Sequence, residues 1–230
     1  ITCTRWMTRE GDNGEILCCG TGLGYILLWK QCSTVTVTEF EETLARRVGA
    51  GHEIMGMSTM GHWLITGTRD KRVQVWSVDA KYTLCTIFSM ELPTTVPQAV
   101  YFQGADILVF GMFDGEIHTL HGKDGVVLAM KTTGRMIGST AVDPGRTCFV
   151  IDNTINGFSL HRMDDAVCIR TYDTNPKKTY PKQVALAEGG TMVIGGSDNG
   201  FIHVFDKATS ERVQTLQHSS IGRVQTVTVR

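Results

Sequence analysis

The chain has 230 residues, of which 42% are hydrophobic and 20% are charged, and its formal net charge is −1. This composition excludes a largely disordered chain, and the balanced charge provides no global attraction to nucleic acid or to an anionic membrane. The longest apolar stretches, such as Ile107–Phe110, have the length of a strand and fall far short of the about 20 residues of a membrane span.

The seven cysteines form an odd set without CxxC spacing, and the sequence has no Asn-x-Ser/Thr acceptor. Cys18 and Cys19 lie inside an apolar run, where a thiol packs as a small hydrophobe. We therefore expect free, buried thiols, no metal site and a cytoplasmic or nuclear location.

A turn residue followed nine positions later by a bulky residue recurs five times along the chain. The bulky positions are 47, 44, 41 and 44 residues apart. A period of roughly 40–45 residues that is built from short strands is the signature of a β-propeller blade. The sequence thus predicts an all-β propeller, and the pairs are Gly20 with Trp29, Gly67 with Trp76, Gly111 with Leu120, Asp152 with His161, and Gly196 with Phe205.

Each repeat shows the same order of strand and turn signals. A first strand is followed by a continuous apolar run, which is typical of a strand buried on both faces. A tight turn comes next, with Asp114-Gly115 and Asn199-Gly200 as turns that tolerate positive φ. An alternating third strand and a more polar fourth strand complete the unit. The predicted second strands are Ile16–Cys19, Trp63–Thr66, Ile107–Phe110, Cys148–Ile151 and Met192–Gly195.

An insertion accounts for the longest spacing, 47 residues, between the first two bulky positions. Thr38 and Glu41 have capping-box spacing, Phe40 and Leu44 share a helical face, and Gly49 can end a helix. The segment predicts either two helical turns or an irregular loop between blades.

The second repeat carries the pattern that resembles the WD40-repeat family. Residues 64–77 read small-Gly-small-x-Asp-x-x-apolar-x-apolar-Trp around Gly67. In that family a His, a Ser or Thr, the turn Asp and the Trp form a buried hydrogen-bonded relay. The resemblance assigns these places to His52, Thr66, Asp70 and Trp76 and covers nearly the whole chain, which is closest in texture to uncharacterised fungal WD40-like proteins.

The other repeats depart from the family pattern at the turn, at the anchor or at both. Leu23 stands where the turn Asp is expected, and the fourth repeat has lost both the turn Asp and the Trp. The resemblance implies that each blade has one anchor on its third strand, and the five anchors are Trp29, Trp76, Leu120, His161 and Phe205.

The repeats predict five complete four-stranded blades and the first strand of a sixth, Val224–Val229. Because rings of this family have about seven blades, we expect one partial propeller from a larger ring rather than a self-contained five-bladed ring. Uncovered faces on the first and last blades would then favour self-association. The predicted blade limits are 1–48, 49–92, 93–131, 132–175, 176–218 and 219–230.

No catalytic, cofactor or metal site emerges from the sequence pattern. The glycine-rich run Gly20–Gly24 precedes a strand, so it predicts a hairpin turn and not a phosphate loop. His118 and His121 fall on opposite faces of a strand, and His118 and His203 occupy a repeated position that we expect to face outward. His52, Thr66 and Asp70 resemble a nucleophilic triad only superficially, because the family uses them as scaffold.

Basic residues fall near the starts of the first strands and crowd one turn. Basic groups converging around a channel suit an acidic or phosphorylated peptide, since Arg forks match phosphate geometry. The alternative is a scatter of solvated charges. The candidate partner-binding residues are Arg5, Arg69, Lys71, Arg72, Arg135, Lys182 and Arg223.

These features predict a non-catalytic protein–protein interaction scaffold that binds proteins or peptides on its loop face. One alternative is a substrate-recognition adaptor of a larger complex such as a ubiquitin ligase. A propeller enzyme, such as a hydrolase or lyase, is the other alternative, and it would need His and carboxylate groups facing the channel.

Overall fold

The computed structural model describes residues 1–9, 14–33, 38–220 and 222–227. These residues form twenty β-strands and a single 3-10 turn, Glu188–Gly190. Within these ranges, no helix is long and apolar enough to cross a membrane. The strands form five four-stranded sheets in which neighbours in sequence pair. The all-β class and the five four-stranded blades are therefore confirmed, and we number the sheets blade 1 to blade 5 in chain order.

The chain divides into two compact units. The first unit comprises Ile1–Phe110 and His118–Met130, and it contains blades 1 and 2 and most of blade 3. The strands of blades 1 to 3 are β1 (Cys3–Met7), β2 (Ile16–Gly20), β3 (Tyr25–Ser33), β4 (Thr38–Arg47), β5 (Ile54–Met60), β6 (Trp63–Thr68), β7 (Arg72–Val78), β8 (Leu84–Glu91), β9 (Pro97–Gln103), β10 (Asp106–Gly111), β11 (Glu116–His121) and β12 (Val127–Thr132).

The second unit comprises Gly111–Ile117 and Lys131–Arg230, and it contains blades 4 and 5. The β-hairpin turn before β19 has Gly200 at φ +88°, the positive value that Asn199-Gly200 predicts. The strands of blades 4 and 5 are β13 (Ser139–Val142), β14 (Cys148–Asp152), β15 (Gly157–Arg162), β16 (Cys168–Asp173), β17 (Val184–Ala187), β18 (Met192–Gly195), β19 (Phe201–Asp206) and β20 (Arg212–Gln217).

The hydrophobic cores lie between successive blades, because the middle strands are apolar on both faces. In the first unit, Ile16 and Leu28 of blade 1 pack with Leu64 and Trp76 of blade 2. In the second unit, Phe158 and Tyr172 of blade 4 pack with Val193 and Phe205 of blade 5. Within the first unit, blades 1 and 2 therefore share a core, and within the second unit blades 4 and 5 do.

The predicted helix or loop over residues 38–49 is wrong. The described part of this segment contains β4, which pairs along its length with β3, from Tyr25 with Arg47 to Ser33 with Thr38. The spacing of Phe40, Leu44 and Val48 suits a helical face, but a bulge between Leu28 and Trp29 also brings Leu44 into the core as a strand residue. The long spacing thus arises from a long outer hairpin in blade 1.

The segment after β20 runs beside the first strand of blade 5. The backbone N–H of Val224 donates to the carbonyl of Ser197 at 2.9 Å, and the N–H of Gln183 donates to the carbonyl of Gln225 at 3.0 Å. Val224 and Val227 are buried. Residues 222–227 are not assigned to a strand, and the rest of the predicted strand Val224–Val229 lies outside the described residues.

Candidate functional site

The five anchor residues occupy equivalent positions on the third strands. In blades 1, 2, 4 and 5 the pairing of the third strand with the fourth shifts register immediately before the anchor. A bulge of this kind changes the direction in which a side chain points. Trp76, Leu120, His161 and Phe205 are buried, whereas Trp29 is half-buried.

Blade 2 contains only part of the predicted relay. The indole N–H of Trp76 donates to Thr66 Oγ1 at 3.2 Å, and both residues are buried. The Asp70 carboxylate accepts a hydrogen bond from Thr68 Oγ1 at 2.5 Å. His52 is exposed, so the structure does not bring it into the relay. The hydroxyl of Thr68, two residues from Asp70, takes the place that the family pattern assigns to the imidazole.

Blade 4 holds its anchor by a different hydrogen-bonded arrangement. His161 Nδ1 lies 2.8 Å from the carbonyl of Ala166, and its Nε2 lies 3.0 Å from Ser159 Oγ. Its ring stacks on Phe149 with centroids 5.3 Å apart. Burial lowers the pKa of His161, so the ring is held neutral, donating to Ala166 and accepting from Ser159. Its two ring nitrogens are thus used within the blade.

A buried ion pair joins blade 4 to the loop that leads into blade 5. Lys182 Nζ lies 3.6 Å from Asp152 Oδ1, and the two side chains are 2% and 0% exposed. The backbone N–H of Lys182 donates to Asp152 Oδ2 at 2.7 Å, and Lys182 Nζ donates to the carbonyl of Tyr180 at 2.9 Å. Burial raises the pKa of Asp152, and the positive charge of Lys182 opposes that rise. Lys182 is therefore a structural residue and is wrong as a predicted partner-binding residue.

The equivalent places at other blade junctions hold a glycine and an apolar residue. A Cβ on Gly20 would lie 2.8 Å from Ile54 Cγ2, and a Cβ on Gly67 would lie 2.8 Å from Pro97 Cβ. Because glycine has no side chain, the residue that begins the next blade can pack close to the backbone at this position. Asp152 stands at the glycine position, and its carboxylate binds the incoming Lys182.

The loop between β16 and β17, residues 174–183, contains three lysines and no acidic residue. The backbone N–H groups of Lys177 and Lys178 both donate to Asp198 Oδ2, at 2.7 and 2.8 Å, while both side chains remain exposed. The guanidinium of Arg223 lies 4.5 Å from the ring centroid of Tyr180 on this loop. We call Lys177, Lys178, Tyr180 and Arg223 the basic loop site.

Of these residues, the sequence pattern selects Arg223 as a candidate, and it selects neither Tyr180 nor Asp198. Asp198 directly follows Gly196-Ser197, between β18 and β19. Nothing in the sequence pairs it with a loop twenty residues upstream. The signal in the sequence is one aromatic residue, Tyr180, with two lysines before it and the lysine Lys182 after it.

The three cations of the β6–β7 turn are engaged locally in the first unit. Arg69 pairs with Glu53 at 2.6 Å, Lys71 Nζ donates to the carbonyl of Pro93 at 3.3 Å, and Arg72 lies between Asp70 and Glu91. Each acid offsets part of the positive charge, so this turn is close to neutral. The residues Arg5 and Arg135 are exposed. The convergence of all these cations around one channel stays a prediction.

The expectation that His118 and His203 face outward is wrong, because both side chains are buried. They lie two residues before the anchors Leu120 and Phe205, and His203 has its ring 6.1 Å from that of Phe205. Burial lowers the pKa of His203, so this ring too is held neutral.

The cysteines are free thiols, of which Cys18, Cys19 and Cys148 are buried and Cys85 and Cys168 are exposed. Burial raises the pKa of Cys18 to about 12, so this thiol stays protonated at neutral pH. Among the residues that the structure describes, no cluster of His, Cys, Asp or Glu could hold a metal ion.

Comparison with known proteins supports the fold class. Residues 45–77 match the family model described as "WD domain, G-beta repeat". This segment comprises the end of β4 through most of β7 and includes Thr66, Asp70 and Trp76. No curated protein matches the chain significantly. The match and the five blades together support a WD40-type β-propeller, a fold that generally serves as a protein-interaction scaffold and is typically non-catalytic.

Proposed function

We propose that this WD40-type β-propeller is a non-catalytic scaffold that binds an acidic or phosphorylated segment of a partner protein at the basic loop site. The observation that carries the proposal is the loop itself. Two exposed lysines lie on a loop whose backbone is bound at one end to the half-buried Asp198 carboxylate and at the other to the buried Asp152 carboxylate. Arg223, which follows β20, lies over the ring of Tyr180 on this loop. Fixed positive groups lose little conformational entropy on binding, which favours affinity.

The chemistry of the site suits an anion. Lysine ammonium groups provide strong point charges, and the guanidinium of Arg223 offers a planar fork that matches a carboxylate or phosphate. The stack on Tyr180 holds that fork in one orientation. A flexible peptide could therefore bind here without rearrangement of the blades.

Several polar groups that could support acid–base chemistry have structural partners instead. Thr66 accepts from Trp76, Ser159 bonds His161, and Asp152 binds Lys182. These pairings favour a binding role over the propeller enzyme that the sequence left as an alternative. An adaptor that presents modified substrates to a larger complex is a narrower form of the same proposal.

The test is binding of fluorescent phosphoserine, phosphothreonine and Asp/Glu-rich peptides, measured by fluorescence polarisation at low and moderate salt. The variant Lys178→Glu/Arg223→Glu should lose at least tenfold in affinity for the peptides that bind. The control Lys81→Glu/Lys123→Glu makes the same change in net charge in turns that join third strands to fourth strands, where both lysines are exposed. Equal losses in both variants would show a diffuse charge effect and would overturn the proposed site.

A further inference from the structure

Five successive connections of the second unit lie at one end of the strands and are joined by hydrogen bonds. Because the strands of each sheet alternate in direction, the connections that follow β10, β12, β14, β16 and β18 lie at the same end. The bonds that join each connection to the next run from the N–H of Ile137 to the carbonyl of Met112 at 2.8 Å, from the N–H of Gly138 to the carbonyl of Asp152 at 2.8 Å, from the N–H of Thr174 to the carbonyl of Asn156 at 2.9 Å, and from the N–H of Lys177 to Asp198 Oδ2 at 2.7 Å. The five connections therefore form one continuous surface.

Each of the first three connections exposes a large apolar side chain. Phe113 follows β10 and is 58% exposed, Met136 follows β12 and is 40% exposed, and Ile155 follows β14 and is 58% exposed. The backbone bonds made by Ile137 and Gly138 hold the three segments against one another. Phe113, Met136 and Ile155 thus form an exposed apolar group, which we call the apolar tip cluster.

The turns do not depend on these apolar side chains. In the turn after β14, Asn153 Oδ1 accepts hydrogen bonds from the N–H of Ile155 at 3.0 Å and from the N–H of Asn156 at 3.1 Å. In the turn after β10, Asp114 Oδ1 accepts from the N–H of Glu116 at 2.9 Å. Glycine and small polar residues are favoured in such turns. A group of large apolar side chains there is typical of a surface that contacts another molecule.

The basic loop site continues the same surface. The loop 174–183 adjoins the turn that carries Ile155, because the N–H of Thr174 donates to the carbonyl of Asn156. The exposed cation Arg135 directly precedes Met136, so a positive group also lies beside the apolar tip cluster. A ligand on this surface therefore meets apolar side chains at one side and positive charge at the other.

The charge of the surface also changes along this series of connections. The half-buried acids Asp114 and Glu116 follow Phe113 in the first connection, whereas the loop 174–183 contains three lysines and no acid. An acidic group of a ligand is therefore favoured at the basic loop site and disfavoured beside Phe113. The surface thus suits a ligand whose apolar and acidic parts are separate along its length.

We propose that the apolar tip cluster and the basic loop site together bind one segment of a partner protein, an extended peptide in which large apolar residues lie beside an acidic or phosphorylated residue. This inference rests on the proposed function and defines the partner more closely. Burial of apolar side chains contributes affinity that salt does not screen, whereas the charge contacts weaken as the salt concentration rises. The complex should therefore keep part of its affinity at high salt.

The first experiment compares two fluorescent peptides by fluorescence polarisation at low and high salt. One peptide consists of glutamates around a phosphothreonine, and the other joins the same acidic block through a Gly-Ser spacer to a block of leucine and phenylalanine, in either order. The wild type should bind the joined peptide about tenfold more tightly, which is the gain expected from burying one large apolar side chain. That gain should persist at high salt. Equal affinity for the two peptides would overturn this inference and leave the proposed function standing.

The second experiment locates the gain on the protein. Phe113→Ser/Ile155→Ser should lose the gain, bind the acidic peptide as the wild type does, and melt at the wild-type temperature, because both side chains are exposed. The matched control Val126→Ser/Val167→Ser removes apolar side chains that are 57% and 50% exposed, in the turns after β11 and β15 at the other end of the strands. This control should bind both peptides as the wild type does. If the control loses the gain, or if Phe113→Ser/Ile155→Ser keeps it, the inference is wrong.

The remaining outcomes separate this inference from the proposed function. Lys178→Glu/Arg223→Glu should weaken the binding of both peptides, because both contain the acidic block. If neither peptide binds the wild type, the proposed function and this inference both fail. If a peptide with the apolar block alone binds as tightly as the joined peptide, the basic loop site takes no part in binding, and this inference is wrong.

Discussion

Blades 2 and 4 have the same strand order and different internal chemistry. In blade 2 the anchor is Trp76, whose indole donates to Thr66 on the neighbouring strand. In blade 4 the anchor is His161, whose ring bonds Ser159 and Ala166 close by in the same hairpin. In both blades the anchor is a buried flat ring whose polar atoms are paired, and more than one residue type meets that condition.

The two blades also differ where each meets the next blade. Blade 2 has Gly67 as the last residue but one of its second strand, with Pro97 packed close to it. The second strand of blade 4 ends at Asp152, which binds Lys182. One junction is close-packed and apolar, and the other is a buried ion pair. The comparison teaches that a repeat can exchange one kind of junction for another when both partners change together.

Removing the anchor of blade 2 should have the largest effect. Trp76→Ala should lower the free energy of unfolding by about 3–5 kcal/mol, because it removes a fully buried aromatic ring. Trp29→Ala, at the equivalent but half-buried position in blade 1, should cost about half as much. Urea denaturation measures both. A loss below about 1 kcal/mol for Trp76→Ala would show that Trp76 is not an anchor.

Breaking the ion pair of blade 4 should rank second. Lys182→Ala leaves the Asp152 carboxylate buried without its partner, which costs about 3 kcal/mol, and proton uptake by Asp152 recovers part of this loss. Asp152→Gly/Lys182→Val converts the junction to the glycine and apolar pattern of the others. We expect this double variant to unfold within about 1 kcal/mol of the wild type. A double variant as unstable as Lys182→Ala would refute the equivalence of the junctions.

The hydrogen bond of the blade 2 anchor should contribute less than its ring. Thr66→Val keeps the side-chain shape but leaves the indole N–H of Trp76 unpaired in the core, which costs about 1–3 kcal/mol. Thr66→Ser retains the hydroxyl and is the matched control. Thermal and urea unfolding should place the Ser variant closer to the wild type than the Val variant.

A pH dependence should be the smallest effect, and it should come from the histidines of blades 4 and 5. Burial lowers the pKa of His161 and of His203 below the usual value of about 6.5, so the unfolded chain binds protons before the folded chain does. Their contribution to stability is complete above about pH 6.5 and declines as the pH falls toward the lowered pKa values. Burial raises the pKa of Asp152, so the folded chain binds this proton before the unfolded chain does. Its protonation at lower pH therefore increases the free energy of unfolding, opposite to the effect of the two histidines.

Urea denaturation at a series of pH values checks this dependence. His203→Leu should show a shallower decline than the wild type between about pH 6.5 and 5, because the variant has one buried imidazole fewer. A decline of equal steepness in both proteins would assign the effect to other groups.

The sequence predicted the strands well because they are short apolar runs between turn residues. The predicted second strand Cys148–Ile151, for example, differs from β14 by one residue. The nine-residue step also selects one residue on the third strand of every blade, since the strand–turn–strand geometry fixes that distance. These features are local, and a local pattern is sufficient to predict them.

The errors involved contacts between residues distant in sequence. Lys182 was predicted to bind a partner because a charged residue at the start of a strand is usually exposed, and its partner Asp152 lies thirty residues upstream. The sequence shows that Asp152 departs from the glycine pattern, but only the structure shows that Lys182 binds the Asp152 carboxylate. His52 was assigned to the relay by its position in the family pattern, but its side chain is exposed to solvent and lies outside the relay.

The Asp152–Lys182 pair has a consequence for how similar blades sort during folding. Repeat proteins can misassemble when one unit docks against the wrong neighbour. Lys182 directly precedes the first strand of blade 5, and at the equivalent positions of blades 1 to 3, Gly20, Gly67 and Gly111, it would meet a glycine. Its ammonium would then be buried without a carboxylate, at a cost of several kcal/mol. A single pair of opposite charges thus gives blade 5 one correct neighbour among units of nearly identical shape.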